Sequence, residues 1–204
     1  MPPDSTDTRR RLLDAAFEEF ASHGLAGARV DRIAELAKAN KRLIYAYYGN
    51  KEELFDTVMV RSLVVLADAV PFAADDLPGY AGALFDHMVA HPEMVRLTMW
   101  KLLERPNISA AEVEAYRPKV QAVADSQADG RLDPDADPVD VMILVIGLVA
   151  AWFTSSPALR ALATGERSDV QRLAEHRAAL IRAVAQMADN RTSGDDSVGH
   201  RLST

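Results

Sequence analysis

Residues 30–54 read VDRIAELAKANKRLIYAYYGNKEEL. The apolar spacing of this segment predicts two short helices, at 30–37 and about 41–47, joined by a three-residue turn at 38–40. Two helices packed across so tight a turn form a helix-turn-helix, whose second helix enters the major groove of DNA. We therefore expect a DNA-reading module near the N-terminus.

The residues of this segment satisfy the packing that a helix-turn-helix requires. A small residue is needed where the two helices cross, and Ala34 supplies it. The second helix needs apolar residues one turn apart facing inward, which Ile44 and Tyr48 provide. Its other face carries side chains that can donate to DNA, and these are Lys41, Arg42, Tyr45 and Tyr47. Lysine and arginine reach guanine or phosphate, whereas tyrosine hydroxyls usually reach phosphate.

Arg29, Asn40 and Lys51 flank the second helix and complete the predicted DNA-binding set. Lys51 lies in the first turn of the next helix, where a cation meets the positive end of the helix dipole. A DNA phosphate at that helix N-terminus would explain the lysine. The alternative is that Glu52 and Glu53 neutralise Lys51 on an ordinary surface.

The segments DRIAELA, residues 31–37, and NKRLIYAYYGNKEEL, residues 40–54, resemble the signature of TetR-family regulators. The family pattern Tyr-x-x-Phe-x-x-Lys-x-x-Leu is matched here by Tyr45, Tyr48, Lys51 and Leu54. The resemblance implies an all-α fold, with an N-terminal three-helix helix-turn-helix domain and a larger C-terminal helical domain that binds a ligand and dimerises. Two departures are Lys38, where the family commonly has glycine, and Arg29, where a capping Ser or Thr is usual.

Helical periodicity also dominates the rest of the chain. The first helix starts after Asp7 and stops at Gly24, and the helix capped by Asn50 runs to about Val70. Further helices are predicted at 77–91, 93–105, 109–129, 138–156 and 168–188, and Pro118 should kink or split the third of these. We predict a DNA-binding domain at 1–54, an effector-binding and dimerisation domain at 55–190, and a disordered tail at 191–204.

Charge is distributed unevenly along the chain of 204 residues, whose formal net charge is −7. Residues 1–61 hold 10 basic and 10 acidic side chains, so residues 62–204 carry the whole −7, with 13 basic against 20 acidic. DNA contacts need local positive charge, so they are expected only in the first sixty residues. The N-terminus has no signal-peptide pattern, and the apolar run 141–153 is too short to span a bilayer, which predicts a cytoplasmic protein without a membrane partner.

Two helices of the C-terminal part predict a homodimer. Residues 139–153 are apolar nearly all round, and such a helix must be covered on every side. The last predicted helix carries an apolar stripe suited to pairing, and two such helices from each subunit would form the four-helix bundle by which TetR-like proteins dimerise. The predicted interface residues are Val141, Leu144, Val145, Leu148, Trp152, Leu173, Leu180, Ile181 and Val184. A dimer would reach both halves of a palindromic operator.

Bulky side chains between residues 60 and 128 are candidates for an effector pocket, because the family holds its ligand among the corresponding helices. These candidates are Phe85, Met88, Met99, Trp100 and Tyr116, and the alternative is that they only fill the core. His87 and His91 are four residues apart, but the chain has no cysteine, no glutamate follows His87, and Pro92 ends that helix, so no metal or cofactor is predicted.

We therefore expect double-stranded DNA, a second copy of the chain and an unidentified small molecule as partners. The predicted function is a sequence-specific transcriptional regulator, a repressor that a small molecule releases from its operator. Two alternatives stand beside it. One is an enzyme, for which the sequence offers no nucleophile–base pair, phosphate loop or metal cluster. The other is a ligand-independent architectural protein with a DNA-binding head.

Overall fold

The computed structural model describes residues 5–162 and 168–189, which form helices and no strand. The helices are α1 Ser5–Gly27, α2 Val30–Leu36, α3 Lys41–Tyr48, α4 Lys51–Ala69, α5 Leu77–Ala90, α6 Pro92–Glu104, α7 Ala110–Ala128, α8 Pro138–Thr154, α9 Pro157–Leu162 and α10 Asp169–Ala188. A short 3₁₀ turn at Ala74–Asp76 precedes α5. The all-α prediction is confirmed.

Most helix boundaries lie within a few residues of those predicted from the sequence. The structure adds α9 and the 3₁₀ turn, which are too short for a periodic pattern to reveal. It also carries α7 through Pro118 without interruption, so the predicted split does not occur. Pro118 lies on the exposed surface of α7. The predicted disordered tail, residues 191–204, lies outside the described residues.

The apolar side chains form two clusters that α4 joins. The first cluster holds α1, α2 and α3 together with the start of α4, and its largest members include Phe20, Ile44 and Phe55. The second cluster lies among α5, α7, α8 and α10, with Phe85 and Val145 fully buried. The first cluster extends along α4 beyond residue 54, and the division of the chain into domains at that residue stays a prediction.

Within the described residues, no single helix combines the length and the hydropathy that a membrane span needs. One pair of segments, Lys51–Ala69 with Ala74–Ala90, is together long and apolar enough, by length and composition only, and is bent by 71° at the break between them.

Candidate DNA-binding site

The N-terminus of α3 is fixed by Asn40, whose side-chain oxygen accepts the backbone N–H of Arg42 at 2.9 Å. This cap satisfies one of the backbone donors that a helix start leaves free. Ile44 is fully buried on the inner face of α3, while Lys41, Arg42 and Tyr45 are exposed on the outer face. The predicted reading face is therefore a solvent-accessible surface.

The turn between α2 and α3 depends on Lys38, which has a φ of 50°. This is the left-handed region of the backbone, which glycine, the residue common at this position in the family, adopts readily. A residue other than glycine is strained in this backbone conformation. The turn is held by backbone hydrogen bonds from Lys38 N–H to Glu35 O at 3.1 Å and from Ala39 N–H to Ala34 O at 3.0 Å. Arg11 of α1 also donates to Ala37 O at 2.9 Å.

The start of α2 has no side-chain cap at Arg29, and Glu19 of α1 instead binds the backbone N–H of Arg29 itself. The Glu19 carboxylate accepts the Arg29 N–H at 2.8 Å and the Arg32 Nε at 2.8 Å, with only 7% of its side chain exposed. Burial alone would raise the pKa of Glu19, but the bonds from Arg32 and from the Arg29 N–H outweigh it and lower that pKa. Glu19 thus orients α2 against α1, a role that the sequence analysis missed.

Lys41, the first residue of α3, pairs with Asp31 of α2 at 2.7 Å between Nζ and Oδ1. The hydrogen bond to Asp31 raises the pKa of Lys41 despite a small opposing effect of burial, so the lysine is cationic at neutral pH. Both side chains are well exposed, at 44% for Lys41 and 68% for Asp31. A carboxylate therefore lies beside one of the two cations of the reading face.

The three tyrosines of α3 have different surroundings. Tyr45 is 48% exposed, as expected for a DNA contact. Tyr48 is half-buried against the first cluster, its hydroxyl donates to Arg9 O at 3.2 Å, and burial raises its pKa. Tyr47 is also half-buried, with the Arg9 guanidinium 4.6 Å from its ring centre. The inward position of Tyr48 agrees with its predicted packing role. The ring of Tyr47 contacts the guanidinium of Arg9.

Lys51 points toward the end of α1, where its ammonium donates to Ala28 O at 3.3 Å and to Ala26 O at 3.5 Å. An ammonium has three donors, so one remains for a phosphate. The helix that Lys51 begins is capped by Asn50, which accepts the Glu53 N–H at 2.8 Å as predicted. Arg29 is exposed beside this helix start. Its predicted phosphate contact, like that of Lys51, stays a prediction.

Helix α6 attaches the C-terminal part to the end of α1. One carboxylate oxygen of Glu104 accepts the N–H groups of Leu25 at 2.5 Å and Ala26 at 3.0 Å. Gly24 makes this approach possible, because its φ is 70° and a Cβ there would lie 2.9 Å from the Trp100 ring. Sequence patterns gave no sign of this junction, since its partners are nearly 80 residues apart.

A second bond at the same junction joins the residue after α6 to α4. Arg105 makes a two-pronged ion pair with Asp56, at 2.7 Å and 2.6 Å. Such paired geometry is among the stronger side-chain interactions, and it raises the pKa of Arg105. Together with Glu104, this ion pair sets the orientation of α1 and α4 relative to α6.

The predicted dimer residues divide into two groups. Val141, Val145, Leu180 and Val184 are at most 7% exposed within the isolated chain. They pack in the second cluster of the same protomer, and their place at a dimer interface stays a prediction. Leu144 is 50% exposed, and the half-buried members are Leu148, Trp152, Leu173 and Ile181. Val139 and Ile143, which the prediction omitted, extend the exposed apolar face of α8.

The predicted ligand residues lie in different surroundings. Phe85 is 1% exposed and contacts the Phe153 ring, with centroids 5.7 Å apart. Met88 is half-buried in the same cluster, and Trp100 lies at the Gly24 junction. Tyr116 lines an open groove along α7, and Met99 is half-buried on α6. Among the described residues, no group of three or more His, Cys, Asp or Glu side chains could hold a metal ion.

An exposed cationic helix held across a tight turn on a small helical core defines a helix-turn-helix DNA-binding protein. Residues 12–58 match the family described as bacterial regulatory proteins, tetR family, and residues 76–186 match the tetracycline repressor-like C-terminal domain. The chain belongs to the TetR family. It is a DNA-binding transcriptional repressor, not an enzyme. TetR-family regulators bind DNA operators and act as dimers with small-molecule effectors.

Similar proteins support this assignment. The HTH-type transcriptional repressor SCO4008 of Streptomyces coelicolor is 42% identical over 166 residues, which cover 79% of this chain and 86% of the relative. The HTH-type transcriptional repressor NicS of Pseudomonas putida is 28% identical over 185 residues, 82% of this chain and 86% of NicS. The crystal structure of the transcriptional regulator SCO4942 of Streptomyces coelicolor aligns with a TM-score of 0.77 at 41% identity, covering 90% of this chain and 99% of that one.

Proposed function

We propose that this repressor binds a palindromic operator as a homodimer and that a small molecule releases it. The observation that carries the proposal is the surface of α3, where Lys41, Arg42 and Tyr45 are exposed directly above the buried Ile44. A recognition helix must be anchored on one face and open to bases on the other. Such a regulator works where the DNA is, so we expect it in the cytoplasm.

We assign base reading to Lys41 and Arg42, because they begin α3 and the N-terminal residues of a recognition helix reach base edges. We assign phosphate contacts to Tyr45, Tyr47 and Lys51, and further ones to Arg29 and to the amide of Asn40. The free N–H groups at the start of α4 favour a phosphate beside Lys51. These contacts position the helix without reading sequence.

The exposed face of α8 supports the dimer. Val139, Ile143 and Leu144 are 48%, 60% and 50% exposed, on a helix whose opposite face is buried in its own protomer. Adjacent large apolar residues on a soluble protein commonly mark an interface. In a symmetric dimer, this face of α8 and the neighbouring side of α10 would pack against the same surface of a second copy. The two α3 helices of the dimer could then enter neighbouring major grooves of one DNA duplex.

Release requires a ligand that prefers the state with weak DNA affinity. The bonds of Glu104 and Arg105 support such coupling, because they tie α6 directly to α1 and α4. A shift of α6 caused by a ligand would therefore move the helix-turn-helix. A structural neighbour, FadR of Bacillus subtilis, was solved in complex with stearoyl-CoA, with a TM-score of 0.65 and 15% identity, covering 89% of this chain and 100% of that one. At that identity the likeness concerns the fold alone.

The proposal is tested by gel shift and fluorescence anisotropy with DNA from upstream of the protein's own gene. We expect Lys41→Ala to reduce the preference for operator over random DNA. We expect Lys51→Met to weaken binding to all sequences alike and to reduce the salt dependence by about one unit. Arg117→Ala, on the distant exposed surface of α7, is the matched loss of one cation. If both test variants bind DNA as the wild type does, the assignment of α3 and Lys51 is wrong.

A further inference from the structure

A cavity of about 500 Å³ lies where α1 and α4 meet α5 and α6. This volume is within the range of roughly 300–1,000 Å³ that is common for small-molecule sites. None of the five ligand residues predicted from the sequence lines it. Its lining is Leu13, Asp14, Phe17, Glu18, Val58, Arg61, Ser62, Val65, His87, His91, Glu93 and Met94.

The wall of the cavity is mainly apolar. Phe17 of α1 and Val58 of α4 belong to or pack against the first apolar cluster, and Met94 of α6 lies opposite. Val65 of α4 is 49% exposed. A surface of this kind stabilises the hydrocarbon part of a ligand by removing it from water, and the ring of Phe17 can also face a cation.

The charged groups around the cavity are predominantly acidic. Asp14, Glu18 and Glu93 provide three carboxylates, whereas Arg61 is the one Lys or Arg among the lining residues. Arg61 is bound to Asp14 at 2.6 Å, so its charge is offset by that partner. The carboxylates of Glu18 and Glu93 remain, and Glu18 has no cationic partner among residues 5–162 and 168–189.

Two histidines lie among these charged groups. His87 and His91 have ring centroids 4.5 Å apart, and His87 Nε2 lies 3.3 Å from Met94 Sδ. Burial lowers the pKa of His87, and the neighbouring His91 lowers it further, against a weaker opposing effect of Glu93. His91 Nδ1 lies 3.2 Å from a carboxylate oxygen of Glu93. The cavity thus combines an apolar wall with excess negative charge.

We propose that this cavity is the effector site and that its ligand is a lipophilic monocation, such as an amine or quaternary ammonium carrying a hydrocarbon group. The hydrocarbon lies against Phe17, Val58 and Met94, and the cationic head lies toward Glu18 and Glu93. An anionic ligand is disfavoured, because its charge would face the carboxylates of Glu18 and Glu93. This inference rests on the ligand-controlled release proposed above.

The position of the cavity gives its occupant a direct route to the DNA-binding helices. Eight of its twelve lining residues come from α1 and α4, which pack against α2 and α3, and the other four come from α5, α6 and the residue between them. The Asp14–Arg61 ion pair joins α1 to α4 at its edge. A ligand wedged among these helices changes their separation, so no long relay through the second apolar cluster is needed.

The test uses the full chain without DNA and three probes with the same alkyl chain: octyltrimethylammonium, octanol and octanoate. In titration calorimetry we expect the ammonium to bind most tightly and octanoate at least about ten-fold more weakly, because like charges in an interface oppose binding strongly. Equal or tighter binding of octanoate overturns the proposal. So does the absence of measurable binding by the ammonium.

Variants then locate the site. Glu18→Gln is expected to weaken ammonium binding by about two- to five-fold, the range of an exposed charge pair, and to leave octanol unchanged. Val65→Phe fills the cavity from its exposed side and should weaken both probes by about ten-fold or more. Glu114→Gln, on α7, is the control for the lost charge and should bind like the wild type. If Glu18→Gln and Val65→Phe both bind like the wild type, the probe lies elsewhere and the proposal is wrong.

A final measurement separates this inference from the proposed function. Operator DNA is first bound to the protein, and octyltrimethylammonium or octanoate is then added. Release by the ammonium in the wild type but not in Val65→Phe supports the effector site. If the ammonium does not release the operator and another compound does, the repressor function stands and the cavity assignment fails. If the chain binds no operator at all, the proposed function itself fails.

Discussion

Replacing Asp31 by asparagine is expected to tighten operator binding by about four- to ten-fold, since exposed ion pairs and local repulsion each change affinity modestly. Asp31 lies beside the reading face and holds Lys41 at 2.7 Å. This ion pair competes with DNA for the Lys41 ammonium. The carboxylate also repels the phosphates that approach α3.

The magnitude follows from these two contributions. Both side chains are more than one-third exposed, so their pairing is a preference of only about two- to five-fold. Removing the negative charge next to the phosphates adds about two-fold more at moderate salt, where screening limits its range to about 10 Å. The change also adds about one effective phosphate neutralisation, which should steepen the salt dependence by about 0.9.

Fluorescence anisotropy on operator DNA between about 50 and 200 mM salt measures both quantities. Repeating Asp31→Asn in a Lys41→Ala background separates them, because the release of Lys41 no longer contributes there and only the lost repulsion remains. Glu114→Gln controls for overall net charge. If Asp31→Asn leaves affinity unchanged, or tightens binding equally in both backgrounds, then Asp31 does not restrain Lys41.

Three further results are expected. Glu19→Leu should lower the free energy of unfolding by about 1–3 kcal/mol in chemical denaturation, because the Arg29 N–H and the Arg32 guanidinium lose their acceptor. The contribution of Glu19 to stability is present above its ordinary pKa of 4.5 and is lost as the pH falls through the lowered folded pKa. An unchanged loss of stability at acid pH would contradict this role. Ile143→Asp should give monomers in analytical ultracentrifugation. The control Leu103→Asp, at a residue of α6 that is 75% exposed, should leave the dimer intact. A stable dimer of Ile143→Asp would place the interface elsewhere. Burial, and after it the charge of Arg172, lower the pKa of His176 below its ordinary value of 6.5. His176 therefore takes up a proton on unfolding, and the protein loses stability as the pH drops below 6.5. His176→Phe should reduce the loss of unfolding free energy measured between pH 7 and 5, and a pH profile identical to that of the wild type would exclude this role of His176.

Local features of the sequence were enough to predict the helix-turn-helix. The tight turn at 38–40 and the inward Ile44 depend on residues within a few positions of one another. Helix periodicity and capping act over that same range, so they can be read from the chain directly. The exposed reading face of α3 followed from the same spacing.

The residues that connect separate helices could not be predicted in this way. Glu19 binds the N–H of Arg29 ten residues later, and Glu104 binds N–H groups nearly 80 residues earlier in the chain. Lys51 was predicted to contact DNA from its place at the start of α4. Its contact with the Ala28 carbonyl could not be predicted, because the position of that carbonyl depends on how α1 ends. Periodicity does not reveal which distant groups a side chain will meet.

The sequence by itself determined that this chain is helical, where most helices begin and end, and that α3 offers cations beside an apolar anchor. Tertiary structure alone decided which side of each apolar helix is covered by the same protomer. In α8, Val145 is fully buried and Ile143 is 60% exposed, although both are apolar and two residues apart. The physical reason is that hydrophobic burial depends on the area removed from water and not on which helix removes it, so only the packing of α5, α7 and α10 settles the choice.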